Sequence, residues 1–221
     1  TINGQRVYMS GILTLLSLNV WKLGKFNAVL YIVSSMVCVV GGYLLGSTNF
    51  AILISGEEHN DDIRRHGSKN AGMTNMIRVY GKRDGIMTAV GDAVKTACAV
   101  LTSRFLLGEF GAYLAALFCV LGHIAPIWHK FKGGKGFATL MGSILGYNFI
   151  VFAIAGALVI IITFVTDYIV IATVTMSIGF PVFVGIYTGN PFFSAILAIA
   201  SITILIKHSE NYVRIVKKEE I

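Results

Sequence analysis

The sequence predicts an all-α integral membrane protein: a seven-transmembrane-helix bundle with short, partly re-entrant segments. Three observations carry this. Of 221 residues, 55% are hydrophobic and only 13% are charged, against about 25% charged in an average globular chain. Between Gly136 and Ile206 the one formal charge is Asp167. The 18 Lys and Arg, against 11 Asp and Glu, cluster between apolar runs, where they read as membrane-surface anchors and anion-binding groups rather than as a nucleic-acid footprint. A soluble enzyme, a disordered chain and a disulfide scaffold are excluded. Cys38, Cys98 and Cys119 lie inside apolar runs and lack any Cys-x-x-Cys spacing, so neither disulfides nor zinc is expected.

The chain divides into an N-terminal segment (1–26), a membrane domain (27–207) and a cytoplasmic tail (208–221). In the first, Tyr8 to Trp21 is too short to span and is flanked by Arg6, Lys22 and Lys25, the pattern of an interfacial helix. Seven spanning segments follow, over 27–55, 86–106, 111–128, 136–147, 149–166, 168–187 and 192–206. The apolar run Phe137 to Val165 is too long for one pass, and Gly146-Tyr147-Asn148 is its natural turn. Gly41-Gly42 and Gly179 are expected to let helices approach closely. Six Lys and Arg between Ile63 and Arg83, three between His129 and Lys135 and four after Ile206 fall in alternate connections. Seven passes put them all on one side, which the positive-inside rule makes cytoplasmic.

Three polar clusters converge there. Gly67-Ser68-Lys69-Asn70-Ala71-Gly72-Met73-Thr74-Asn75, just after Asp62-Ile63-Arg64, offers backbone N–H groups, hydroxyls, amides and cations, the means by which a loop holds phosphate; a solvated turn would look the same. Phe131-Lys132-Gly133-Gly134-Lys135-Gly136 opens the fourth segment, where exposed amides and the helix dipole add to lysine charge. Lys207-His208-Ser209-Glu210-Asn211 ends the last span, with His208 and Asn211 on one helix face. Asp92 and Lys95, inside the second segment, are functional candidates or a mutually neutralising pair. Asp167 reads as a helix boundary, and Thr173 as a hydroxyl that either serves a site or bonds back to its own helix.

Together these residues resemble the bacterial membrane-integral acyl-phosphate:glycerol-3-phosphate acyltransferases. That family reads G-S-I-P-F, then D-I-R-x-x-G-S-G-N-x-G-A-T-N, then G-H-x-x-P-x-x-x-x-F-K-G-G-K-G, then H-x-x-N. The chain carries all four in order, and the third is complete from Gly122 through Gly136. It departs at Thr48-Asn49 for Ile-Pro, at Lys69 for a glycine and at Met73 for an alanine.

The resemblance implies that a fatty acyl group passes from acyl phosphate to the 1-hydroxyl of sn-glycerol 3-phosphate, giving lysophosphatidic acid and phosphate. It further implies a bacterial plasma-membrane enzyme with a cytoplasmic-face site, without cofactor, metal or nucleic acid, working as a monomer in the bilayer. Lys135, His208 and Ser47 are the expected catalytic residues. Arg64, Gly67, Ser68, Asn70, Gly72, Thr74, Asn75, Lys132, Gly133, Gly134, Gly136, Thr173 and Asn211 are the expected phosphate-binding residues. No His stands five residues before an Asp, so the H-x-x-x-x-D pattern of soluble-domain acyltransferases is absent. Acyl phosphate is already activated, so the protein's task is to position two anions together. The proton of the glycerol hydroxyl falls to the donor's phosphate or to His208. A small anion transporter is the rival reading, disfavoured because the polar groups lie at one face rather than at the midplane.

Overall fold

The computed structural model describes residues 24–217; the interfacial helix expected over Tyr8–Trp21 lies outside the described residues. The helices are α1 (Gly24–Ser47), α2 (Phe50–His59), α3 (Met73–Tyr80), α4 (Lys82–Ile124), α5 (Phe137–Tyr147), α6 (Phe149–Thr166), α7 (Ile169–Thr188), α8 (Pro191–Lys207) and α9 (Ser209–Val216). No strand occurs among the described residues. The all-helical membrane class holds.

α4 is a helical hairpin rather than one rod. Gly108 takes φ 65°, ψ −148°, a backbone region open essentially to glycine alone. The second arm then folds back on the first: Thr96 Oγ1 and Cys119 Sγ lie 3.2 Å apart, where a straight helix would separate them by about 35 Å. The arms 82–107 and 109–124 take the places of the second and third predicted segments. The Gly146 turn is also where the sequence puts it, with Asn148 capping α6 through Ile150 and Val151 N–H.

Among the described residues, four helices are long and apolar enough to cross a membrane, or five if α8 and α9, bent by 48°, count as one. The second arm of α4, α5 and α8 are shorter than the roughly 20 residues of a full crossing. Seven apolar segments are therefore present, but seven full crossings are not met by length. The main core is built from both arms of α4 with α5, α7 and α8, centred on Tyr113, Leu140, Ile144, Val184 and Leu197. α6 turns Ile160, Phe164 and Val165 outward, as a lipid-facing helix does. Of the glycines expected at contacts, Gly42 meets the Ala115 backbone, whereas Gly41 and Gly179 face open space.

Candidate active site

The site begins where the predicted 27–55 segment breaks. α1 ends at Ser47, and Asn49 starts α2 by accepting from Ile52 N–H at 3.1 Å. The carbonyls released at the break cannot be left bare inside a membrane. Lys95, from the first arm of α4, answers them: its Nζ donates to Gly46 O (3.0 Å), Thr48 O (2.6 Å) and Asp92 Oδ1 (2.6 Å). Asp92 and Lys95 do neutralise each other. Ser47 is fully buried, donating to Tyr43 O and accepting from Ile127 N–H. It belongs to this joint and does not line the cavity described below, contrary to the catalytic expectation.

The 67–75 loop is organised by one side chain. Asn75, fully buried, accepts from Ser68 N–H at 2.9 Å and aims its amide hydrogens at Ile63 O, His66 O and Asn70 O. Gly67 sits at φ 54°, and a Cβ there would lie 2.2 Å from Asn75 Oδ1. Beneath the loop, Ile63, Ala71 and Met76 pack with Ala51 and Ile54 in a satellite core. The upper face carries Ser68, Asn70, Gly72 and Thr74 into a cavity.

The 131–136 loop works differently. Gly133 N–H donates to Ile124 O and Gly134 N–H to His123 O, so these amides close the end of α4 instead of facing a ligand. A Cβ on Gly133 would lie 2.0 Å from His123 O, and one on Gly134 2.2 Å from His123 Nε2. Lys132 is exposed and outside the cavity lining. Only Lys135 and Gly136 of this motif reach the cavity wall. The expected phosphate contacts of Lys132, Gly133 and Gly134 are therefore not what the geometry provides, because close backbone packing has taken the glycines.

Arg64 also departs from expectation. Its guanidinium holds Asp62 through Nε and NH2, and its NH1 donates to His129 O and Lys132 O at 2.9 Å each. It clasps the two loops together from outside the cavity. That pairing holds the Asp62 carboxyl below the usual carboxylate range, chiefly through the Arg64 hydrogen bond.

The cavity, about 200 Å³, is walled by the 68–75 loop, the start of α5, the α6–α7 junction and the α8–α9 joint. Lys135 Nζ contacts Asn211 Oδ1, joining two motifs 76 residues apart in the chain. His208, 7% exposed, sets its Nδ1 2.9 Å from Ile204 O. A carbonyl can only accept, so Nδ1 carries the hydrogen and the neutral ring's Nε2 is an acceptor. Thr173 lines the wall while bonding back to Ile169 O at 3.0 Å. Phe137, Ala138, Ile169 and Val170 give one side an apolar surface.

The structure adds Arg78, Arg214, Asp167, Asp92 and His123 to the cavity wall. The two arginines hid in the sequence among charges read as anchors; their signal was position, on the short amphipathic helices α3 and α9 bordering the motifs. Asp167 ends α6 as expected, at φ 62°. No ligand-spaced carboxylate cluster is expected from the sequence, yet Glu58, His59 and Asp84 bring ligand atoms within 4.8 Å of one another. Folding, not spacing, brings them together, and they lie outside the cavity lining, with His59 and Asp84 paired at 2.6 Å.

Known proteins are similar to this chain in sequence and in fold. A family model described as glycerol-3-phosphate acyltransferase matches residues 36–218. A glycerol-3-phosphate acyltransferase of Coxiella burnetii (strain Dugway 5J108-111) is 37% identical over 187 residues, covering 84% of this chain and 96% of the relative. One from Finegoldia magna is 35% identical, covering 88% and 96%. The crystal structure of PlsY (YgiH), an integral membrane glycerol 3-phosphate acyltransferase, in its glycerol 3-phosphate form superposes with a TM-score of 0.79 at 28% identity, covering 85% of this chain and 94% of that one. Its lysophosphatidic acid form gives a TM-score of 0.76.

Proposed function

The chain belongs to the glycerol-3-phosphate acyltransferase family, and from that premise we propose that it takes its acyl group from an acyl phosphate, at the cytoplasmic face of a bacterial plasma membrane, as a monomer. The reaction balances without a cofactor. The 1-hydroxyl oxygen of glycerol 3-phosphate attacks the acyl carbon, the acyl C–O bond to phosphate breaks, and the hydroxyl proton leaves on inorganic phosphate. Lysophosphatidic acid remains in the bilayer.

The observation that carries this reading is the meeting of Lys135, Asn211, His208 and the 68–74 loop around one cavity with an apolar side. Hydroxyls and amides of the loop, with Lys135, hold the donor's phosphate and stabilise its charge as the acyl group departs. Arg78 and Arg214, both on that wall, hold the acceptor's phosphate by forked hydrogen bonds. This replaces the role expected of Arg64. His208 Nε2, as an acceptor, suits a hydroxyl better than a phosphate, and the departing phosphate takes the proton. The apolar side leads the chain of the donor toward lipid.

The test is turnover by purified protein of palmitoyl phosphate and labelled glycerol 3-phosphate, with EDTA present. Lysophosphatidic acid and phosphate should form in equal amounts. Product from palmitoyl-CoA alone, or abolition by EDTA, would exclude the acyl-phosphate reading.

A further inference from the structure

The turn 127–132, between α4 and α5, leaves large apolar side chains uncovered: Ile127 is 45% exposed, Trp128 60% and Phe131 61%. Lys130 and Lys132, interleaved with them, are exposed as well. No acid occurs in the sequence from Phe110 to Thr166, and the Asp62 carboxylate, brought to the turn by Arg64, is already paired with that arginine. The reaction as described uses none of these five side chains.

The backbone beneath them is closed. His129 N–H and Phe131 N–H donate to Pro126 O, and Lys132 N–H donates to His129 O. Arg64 NH1 donates to His129 O and Lys132 O. A turn satisfied in this way can enter the edge of a bilayer, where bare backbone groups would be costly. Lys130 and Phe131 take left-handed backbone, at φ 56° and 58°, which costs a residue with a side chain; the hydrogen bonds hold that conformation and with it the outward display. The turn also continues a lipid-facing surface. Ile127 N–H reaches Ser47 Oγ and Tyr43 OH donates to Ala125 O, seating the turn against the end of α1, where Leu44 and Leu45 are exposed.

We propose that the turn 127–132 is a phospholipid-binding element: Ile127, Trp128 and Phe131 sit at the boundary of acyl chains and headgroups, while Lys130 and Lys132 hold the phosphate of an anionic phospholipid in the leaflet on the cavity's side. Aromatic residues settle at that boundary, and lysines are drawn to an anionic lipid surface. Lys135, three residues after Lys132 and on the cavity wall, is thereby held at headgroup depth. The proposal does not depend on the identity of the acyl donor.

The chain has two tryptophans, Trp21 and Trp128, so Trp21→Phe leaves Trp128 as the reporter. The intact protein with this change is reconstituted in vesicles of phosphatidylcholine and phosphatidylglycerol in equal parts, with bromine on the acyl chains of one lipid or the other. Trp128 emission should be quenched by both, with phosphatidylglycerol favoured by about 5-fold, the attraction of one lysine to an anionic surface. Adding Lys130→Gln and Lys132→Gln should keep the quenching and abolish the preference. Emission untouched by either lipid, equal quenching by both before the lysines are changed, or a preference that survives their change overturns the proposal. So does loss of the preference on adding trace palmitoyl phosphate, which would make the turn a port for that amphiphile instead. Should Trp21→Phe misfold, the difference in quenching between wild type and Trp128→Phe gives the same reading.

Discussion

Two glycine-rich loops flank the cavity, 67–75 and 131–136, and their residues alone describe them in the same terms. Both combine glycines with lysine, and both precede a helix. Folded, they divide the labour. The first turns Ser68, Asn70, Gly72 and Thr74 toward the cavity while Asn75 holds its backbone from beneath. The second spends the amides of Gly133 and Gly134 on the end of α4 and presents only Lys135 and Gly136. A glycine that admits a ligand and a glycine that admits another backbone look identical in sequence. What separates them is what a Cβ would strike.

The largest effect expected from this contrast is on turnover. Lys135→Ala should lower kcat by about 10²–10³-fold, the usual loss on removing one stabiliser of developing charge, whereas Lys132→Ala, exposed in the same loop, should stay within a few-fold of wild type. Small and similar losses from both, by steady-state kinetics, would return the second loop to plain membrane anchoring.

Glycine substitutions sharpen the contrast in stability. Gly134→Ala forces a methyl to within 2.2 Å of His123 Nε2 and 2.5 Å of Ala71 O, and should destabilise by about 3 kcal/mol, at the upper end of overpacking costs. Gly72→Ala meets only the end of the Asn70 side chain, at 3.0 Å, and should fold normally with weaker substrate binding. Thermal unfolding in detergent separates them; equal melting temperatures would remove the distinction.

A smaller effect concerns the clasp that joins the loops. Arg64 lowers the folded-state pKa of Asp62, so the pair contributes stability above the ordinary Asp pKa of about 3.9 and loses it as pH falls through the folded value. Melting temperature should drop more between about pH 5 and pH 3 in wild type than in Asp62→Asn. Parallel pH profiles would show that the clasp contributes nothing. Smallest is Lys69, which holds φ 59° where the family motif has glycine. Left-handed backbone costs a side-chain-bearing residue about 1–2 kcal/mol, partly offset by the greater chain entropy glycine loses on folding. Lys69→Gly should raise the melting temperature by a few degrees, and a fall would mean that the lysine makes a contact worth more than its strain.

Much of this was legible in the sequence, for identifiable reasons. Apolar length and the Gly146 turn located the helices, because burial in lipid demands unbroken hydrophobic stretches. The convergence of the clusters holding Lys135 and Asn211 followed from basic loops placed at one face; their direct contact came from the fold. The break after Ser47 was not read from the sequence: Gly46-Ser47-Thr48-Asn49 interrupts the apolar run of 27–55, but the group that permits the break, Lys95, lies 47 residues beyond Thr48. Arg64 was misread for the same kind of reason, since its partners His129 O and Lys132 O are backbone atoms that carry no residue signature. Arg78 and Arg214 reach the cavity through helix orientation, which charge counting ignores.

The most direct measurement is a crystal structure of the protein grown with inorganic phosphate, the product that the two loops are held to treat differently. The account expects phosphate within hydrogen-bonding distance of Ser68, Asn70 or Thr74 and of Lys135, with Gly133 and Gly134 still bonded to Ile124 O and His123 O. Phosphate seated on the Gly133 and Gly134 amides, or on Arg64 with its clasp opened, would contradict it.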